Sequence, residues 1–381
     1  MFTEEHDQFR QMVRRFVRDE IAPHVDAWEE AKQFPAHELF PKMGALGILG
    51  PSYEPEYGGS GVDFMFHAIT ADELGKCGCM GVPMATIVQS DIAVSGLASH
   101  GSEQVKKAFL PSVLSGKKVA ALGVSEPDIG SDVASLRTRA VSDGDHYVIS
   151  GSKMWITNGV QADIVVTLCR TSDEGGYRGM SLIVVPTDTP GFSVGKKLEK
   201  MGNHSSDTGL LVYDEVRVPK WHLIGEEGKG FYYQMQEFQK ERLLGSMLGV
   251  SLGEDAVQKT IEYCKDRKVF GGRLLDKQWV YFKLAELRTE LTILKRFVYH
   301  CAERLVAGDD VTLEVSMAKL KAGRLIREVT DTCVQFHGGM GYAEEYPMAR
   351  YFRDARLLSI GAGADEVMLE IIAKCEGFSP A

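Results

Sequence analysis

Five runs of the chain carry residue types at spacings that could do chemistry. In Val124-Ser125-Glu126-Pro127-Asp128-Ile129-Gly130-Ser131-Asp132 an apolar segment enters a Pro/Gly turn ending in Gly-Ser-Asp. Such a turn exposes backbone N–H groups and a hydroxyl, which suits phosphate or pyrophosphate. The same residues also build an ordinary turn capped by Asp and Ser, and local physics favours that plainer use. In Gly151-Ser152-Lys153-Met154-Trp155-Ile156-Thr157-Asn158-Gly159 a Trp precedes a β-branched pair, and Asn-Gly reads as closing a hairpin. Trp155 is then an aromatic plate and Thr157 a hydroxyl donor at a strand end, as a flat heteroaromatic cofactor needs. A core Trp in a hairpin fits equally well.

The third run joins Arg267-Lys268-Val269-Phe270-Gly271 and Gln278 to Gln335-Phe336-His337-Gly338-Gly339-Met340-Gly341-Tyr342. Arg267 can neutralise a helix dipole and Gly338 can cap a helix. Gly-Gly-x-Gly exceeds capping, because three positions without side chains let another chain or a cofactor approach closely. In the fourth, Glu241-Arg242 precedes Gly245, Gly249 and Gly253, which recur every four residues near one helical face. They mark either tight helix packing or the wall of a ligand slot. A carboxylate at the mouth of an apolar slot has a raised pKa and can act as a base, although local sequence favours a surface ion pair for Glu241. In the fifth, Arg350, Arg353, Asp354 and Arg356 lead to Ile360-Gly361-Ala362-Gly363-Ala364-Asp365-Glu366. There a charged helix breaks and restarts at an N-terminus able to hold an anion, or simply capped.

These runs sit on three zones. Residues 1–118 read as short helices punctuated by Pro23, Pro35, Pro51 and Gly58-Gly59, the first capped by Thr3. Residues 119–225 hold short β-rich runs at Val119–Val124, Leu136–Val141, His146–Ile149, Ile164–Cys169, Ser181–Val185 and Leu210–Val218. Residues 226–381 return to long amphipathic stretches, Phe231–Arg267, Gln278–Ala307 and Val311–His337. The class is α+β, mostly α: helices, a β-barrel, then helices, without the βαβ alternation of a parallel doubly wound sheet. A crevice where sheet meets bundle is the expected ligand site.

Composition narrows the function. With 43 Lys and Arg against 53 Asp and Glu the net charge is −10, which argues against a nucleic-acid or anionic-membrane binder. No uncharged apolar stretch of membrane-spanning length occurs, and the acidic start Met1-Phe2-Thr3-Glu4-Glu5-His6-Asp7 reads as no leader peptide. Seven scattered cysteines without a CxxC pair argue against a disulfide framework or a zinc site, and for reduced thiols. No metal is expected. The 40 glycines among 381 residues exceed a typical ~7% share and have no period, so they need a local explanation.

The order and spacing of the runs resemble the flavin-dependent acyl-CoA dehydrogenase family over essentially the whole chain. The residues that carry the resemblance are Ser125-Glu126-Pro127 with Gly130-Ser131-Asp132, Trp155-Ile156-Thr157, and Lys200-Met201-Gly202 through Ser206-Asp207-Thr208 to Val216-Arg217-Val218-Pro219. Gly225-Glu226 with Gly230-Phe231, Arg267 with Phe270-Gly271, and Gln335 through Gly338-Gly339 to Glu345-Tyr346-Pro347, Arg350 and Asp354 complete the set. The resemblance implies a helical domain, a middle β-barrel domain and a C-terminal four-helix bundle. It also implies FAD held between the subunits of a homotetramer. Leu122, Val124, Ser125, Gly130, Ser131, Trp155, Ile156 and Thr157 would hold the isoalloxazine, with Ala364 and Glu366 beside it. Arg267, Phe270, Gln278, Gln335, Gly338 and Gly339 would reach the adenosine-diphosphate end of a neighbouring subunit's cofactor.

Ser131, Gln239, Arg242, Gly361 and Ala362 match positions facing the CoA thioester. Many members carry Tyr-Glu-Gly-Thr where this chain has Gly361-Ala362-Gly363-Ala364, and Ala362 cannot take a proton. The isovaleryl and long-chain types place the base on the bundle helix, at the position of Glu241. Ala364 also lacks the hydroxyl usually offered to the flavin. The implied reaction is α,β-dehydrogenation of an acyl-CoA to a trans-2-enoyl-CoA, as in fatty-acid β-oxidation, with electrons passed to an electron-transfer flavoprotein. Gly361 in place of a bulky Tyr, together with the glycine face, suggests a branched, isoprenoid-like or long acyl chain. The resemblance runs first to the citronellyl-CoA dehydrogenase type, then to the isovaleryl and long-chain types. The alternatives are an acyl-CoA oxidase using oxygen and a catalytically silent acyl-CoA-binding protein. The implied compartment is the bacterial cytoplasm, or the mitochondrial matrix for a mature eukaryotic chain.

Overall fold

The computed structural model describes residues 2–378. Seven helices come first: α1 (Glu4–Phe16), α2 (Val25–Glu30), α3 (Ala36–Ala45), α4 (Met65–Leu74), α5 (Gly81–Ile87), α6 (Ser95–His100) and α7 (Glu103–Leu114). Thr3 starts α1 by a reciprocal cap: its hydroxyl accepts from the His6 N–H, and His6 Nδ1 accepts from the Thr3 N–H. α4 is buried on every face and is the central rod of this layer.

The strands are β1 (Ala120–Gly123), β2 (Arg139–Asp143), β3 (His146–Thr157), β4 (Ile164–Arg170), β5 (Met180–Pro186), β6 (Phe192–Lys197), β7 (Thr208–Pro219) and β8 (Leu223–Ile224). They form one sheet in the order β6-β7-β3-β2-β4-β5-β8, with β1 parallel against β4. The expected barrel does not close. β6 pairs only with β7, β8 only with β5, and β2 meets β4 through the single pair Arg139–Arg170. β6 is largely exposed, bears Lys196 and Lys197 and has a register break at Val194/Lys196, features that keep an edge from pairing further. β4 and β5 are covered on both faces: Ile164, Val166 and Leu168 meet the helical core, while Val165 and Cys169 meet a second core inside the curved sheet. Double burial is why these two strands read as continuous apolar runs.

The last third holds α8 (Gly230–Asp266), a small hairpin β9 (Lys268–Val269) and β10 (Gly272–Arg273), α9 (Gln278–Val306), α10 (Thr312–His337), α11 (Gly339–Tyr342), α12 (Pro347–Ala355) and α13 (Asp365–Cys375). Three long helices are present. The fourth position of the expected bundle is taken by two short helices on α10, separated by the Gly361–Ala364 break.

Polar anchors join the three zones. Asp72 of α4 accepts from Arg10 at 2.7 Å, Ser251 at 2.8 Å, Lys295 at 2.7 Å and Tyr299 at 2.7 Å, tying α1, α8 and α9 together. These partners outweigh burial and hold the Asp72 carboxyl far below the usual carboxylate range. Asn158 donates to the carbonyls of Ala85 and Ala120, pinning the end of β3 to α5 and β1. Among the described residues no helix is long and apolar enough to cross a membrane, and no three metal-ligating side chains stand together. All seven cysteines are free, and only Cys375 is exposed.

Candidate active site

The first half of the site is a corner where β1 leaves the sheet beside the end of β3. The Met154 N–H donates to the Ser125 carbonyl at 2.9 Å. Lys153, fully buried, donates from Nζ to the Val124 carbonyl at 3.0 Å and to Glu126 Oε1 at 2.9 Å. Glu126 in turn accepts from the N–H groups of Arg137 and Thr138. Every buried charge here has a partner, and the loop after β1 is locked against β3. Leu122, Val124 and Ser125 therefore stand beside Trp155, Ile156 and Thr157.

A register break between Lys153 and Ile156 puts a bulge at the end of β3, and Trp155 takes φ 66°. Bulges of this kind re-aim a side chain. Here it leaves Trp155 59% exposed while Ile156 is buried, so this Trp is a surface plate and not a core residue. The expected hairpin at Asn158-Gly159 is absent: β3 pairs with β2 and β7, and the turn after Asn158 carries the chain across to β4. Gly130 has open space where a side chain would stand, and Ser131 beside it is exposed.

The second half lies on α8. Glu241 Oε2 is shut off from solvent and has no hydrogen-bond partner, so it does not form the surface pair that local sequence favoured. Burial pushes its carboxyl up to about 7, against the opposing pull of Arg242 and Lys319. Over it runs the Gly361–Ala364 break. Arg242 Nε donates to the Ala362 carbonyl at 3.4 Å, and Lys319 Nζ of α10 donates to the Gly363 carbonyl. Ala362 takes φ 55°. Gln239 is turned to the start of α10, donating to Thr312 Oγ1 at 2.6 Å. Ala364 is the first cap of α13, with Asp365 turned inward and Glu366 outward.

The three helix glycines divide. A Cβ on Gly249 would meet Leu358 Cδ1 at 2.6 Å and one on Gly253 would meet Leu291 Cδ2 at 2.8 Å, so these two serve packing. Gly245, one turn after Glu241, faces open space. The Gly-Gly-x-Gly run divides too: Gly338 and Gly339 are open, but a Cβ on Gly341 of α11 would meet the Val334 carbonyl of α10 at 2.5 Å.

The third group, Arg267, Phe270, Gln278, Gln335, Gly338 and Gly339, gathers at the other end of the bundle. There Tyr263 stacks on His337 at 4.3 Å and donates to its carbonyl. Twenty-six residues of α8 separate Arg267 from Glu241, roughly 39 Å at ~1.5 Å per residue. Lys153 joins the loop after β1 to β3, and Arg242 and Lys319 join the Glu241 end of α8 and α10 to the Gly361–Ala364 loop, while the third group stands at the far end of α8. Two polar residues of the site escaped the sequence reading, Lys153 and Lys319. For Lys153 the alternation after Tyr147 and Ile149 points inward and could have raised it; for Lys319 no local signal exists.

An exposed aromatic plate at a strand end and a buried, unpartnered carboxylate are what a flat redox cofactor and proton abstraction from an acidic C–H bond need, the equipment of a flavoprotein oxidoreductase. Family models for the acyl-CoA dehydrogenase N-terminal, middle and C-terminal domains match residues 3–117, 121–216 and 228–376. The mitochondrial long-chain specific acyl-CoA dehydrogenase of Sus scrofa is 40% identical over 376 residues, 98% of this chain and 87% of that one. The solved acyl-CoA dehydrogenase of Geobacillus kaustophilus superposes with a TM-score of 0.94 at 40% identity, covering 98% of each chain. A glutaryl-CoA dehydrogenase of Mycobacterium smegmatis in complex with FADH2 superposes at 0.93 with 29% identity, over 100% of this chain and 96% of that one. The chain belongs to the acyl-CoA dehydrogenase family, and FAD is its cofactor.

Proposed function

We propose that the chain oxidises the Cα–Cβ bond of an acyl-CoA thioester to the trans-2-enoyl-CoA, with Glu241 as the base. The observation that carries this is the buried, unpartnered Glu241 Oε2 under the Ala362 loop. Leu122, Val124, Ser125, Gly130, Trp155, Ile156 and Thr157 hold the flavin ring, with Ala364 and Glu366 at its edge; Ser131, Gln239, Arg242 and Gly361 face the thioester. When bound, FAD supplies the acceptor of the β-hydride and the route to an electron-transfer flavoprotein. Ala362 offers its N–H, free of any other backbone bond, to the thioester carbonyl. A preorganised donor of that kind is worth about 3–4 kcal/mol in the transition state. Glu241 Oε2 takes the α-proton, and the pair from that C–H bond becomes the new double bond as the β-hydride leaves. A carboxyl poised at about 7 is close to the working pH, where a base is most effective.

Space beside Gly245 and the missing side chain of Gly361 support a branched, isoprenoid-like or long acyl chain. The ~39 Å along α8 between Glu241 and Arg267 exceeds what one cofactor can bridge, which supports FAD shared between subunits of a homotetramer. Phe270 and Tyr342, 98% and 88% exposed at that end, are surfaces for a neighbouring subunit. Free thiols fit a reducing compartment, bacterial cytoplasm or mitochondrial matrix.

Anaerobic titration of the yellow protein with straight, 3-methyl-branched and citronellyl thioesters tests the reading. Bleaching strongest with the branched or long chains is expected. A clear preference for a short straight chain refutes the substrate class, peroxide release without another acceptor indicates an oxidase, and no bleaching with any thioester indicates a silent binding protein.

A further inference from the structure

Ala362 holds a left-handed backbone conformation that a residue with a Cβ adopts only under constraint. Two side chains supply the constraint, and both act on carbonyls of the loop. Arg242 of α8 takes the Ala362 carbonyl and Lys319 of α10 takes the Gly363 carbonyl. Gly363, at φ 99°, lets this happen, since its Cβ would collide with Met368 Cε at 2.7 Å.

Lys319 is 3% exposed, a costly place for an ammonium. The charged groups facing it are Glu241 and Arg242 from α8 and Asp365 from the start of α13. Asp365 is engaged with Arg324 at 3.7 Å and Arg327 at 3.4 Å. Among the described residues the ammonium makes one hydrogen bond, and it goes to the loop.

We propose that Lys319 is a positioning residue for the reaction: its bond to the Gly363 carbonyl holds the Gly361–Ala364 loop so that the Ala362 N–H meets the thioester carbonyl. This rests on the reading above, in which that N–H polarises the substrate. Lys319 touches neither the reacting carbons nor the carbonyl, and acts through the loop.

The test compares holoenzyme carrying Lys319→Met or Lys319→Gln with the unsubstituted enzyme. Two probes of equal chain length are bound to each: a 2-enoyl-CoA thioester, labelled with carbon-13 at the carbonyl, and an S-alkyl-CoA thioether without a carbonyl. The unsubstituted enzyme prefers the thioester and lowers its carbonyl stretching frequency. In Lys319→Met that preference falls by about tenfold, the factor one hydrogen bond of ordinary net strength supplies, and the frequency returns toward its unbound value. Thioether binding stays within about twofold, because it makes no use of the N–H. Lys319→Gln keeps a donor without the charge. It retains most of the frequency shift, while the acid limb of its pH–rate profile moves upward because Glu241 has lost a neighbouring cation. Unchanged preference and frequency in a folded Lys319→Met overturn the proposal; should that variant not fold, unchanged preference and frequency in Lys319→Ala, which also removes the donor, overturn it. If the unsubstituted enzyme shows neither turnover nor preference, the functional reading fails first.

Discussion

Replacing Glu241 by Gln should stabilise the protein while abolishing its chemistry, and the stabilisation should depend on pH. The folded chain holds this carboxyl at about 7, against 4.5 for an ordinary Glu. A raised pKa means the folded state binds the proton more tightly than the unfolded chain, so the ionised group costs stability. That cost is absent well below pH 4.5, grows between about 4.5 and 7, and is complete above 7. That gap corresponds to roughly 3.5 kcal/mol at ~1.4 kcal/mol per tenfold change in proton affinity. The Gln amide is itself left short of partners, returning about 1–2 kcal/mol of that. Denaturant unfolding at pH 8 should therefore find Glu241→Gln more stable by about 1.5–2.5 kcal/mol. At pH 5 the folded carboxyl is protonated, most of the cost is gone, and the advantage should shrink to zero or reverse. Flavin bleaching by acyl-CoA should be lost at both values while the yellow colour remains. A stability difference that does not change between pH 5 and pH 8 would refute the buried-carboxyl argument. Turnover retained by the variant would remove Glu241 as base.

Gly245→Leu enters open space, so unfolding should move by less than about 1 kcal/mol while relative kcat/KM shifts toward short, straight thioesters; an unchanged substrate series sinks the slot assignment. Gly249→Ala places a methyl 2.6 Å from Leu358 and should cost about 1–3 kcal/mol in a denaturation midpoint, with no change in chain preference. Lys153→Met leaves Glu126 buried without its cation, which should cost about 3–5 kcal/mol and loosen flavin; a wild-type unfolding curve would contradict the locked corner. Arg267→Ala should speed release of fluorescent flavin on dilution while the pH–rate profile set by Glu241 stays in place; a shifted profile would argue that one subunit holds the whole cofactor.

Much of the architecture was legible. α8, α9 and α10 show an apolar face repeated at helical spacing over 25 residues or more, enough to survive local noise. β4 and β5 announce themselves as unbroken apolar runs because both faces are covered. β6 was not legible: Phe192–Lys197 is mostly exposed and lysine-bearing, and only its partner β7 makes it a strand. Whether the sheet closes depends on edges far apart in the chain, and so the barrel reading failed. The Asn158-Gly159 turn has hairpin chemistry, yet the strands it connects find other neighbours.

The motif order by itself determined the family, the cofactor and Glu241 as the candidate base. Spacing along the chain says which face of a helix or strand a residue occupies. It does not say what stands opposite. Leu358 decided that Gly249 is packing and not a slot wall, and nothing stands opposite Gly245. Lys319, from a different helix, decided where the Gly363 carbonyl points, and Lys153 decided that the loop after β1 lies against β3. The pKa of Glu241 belongs to the same class, since burial is a property of everything that surrounds a group. Those partners lie tens to more than a hundred residues away in the chain, and only the folded packing brings them together.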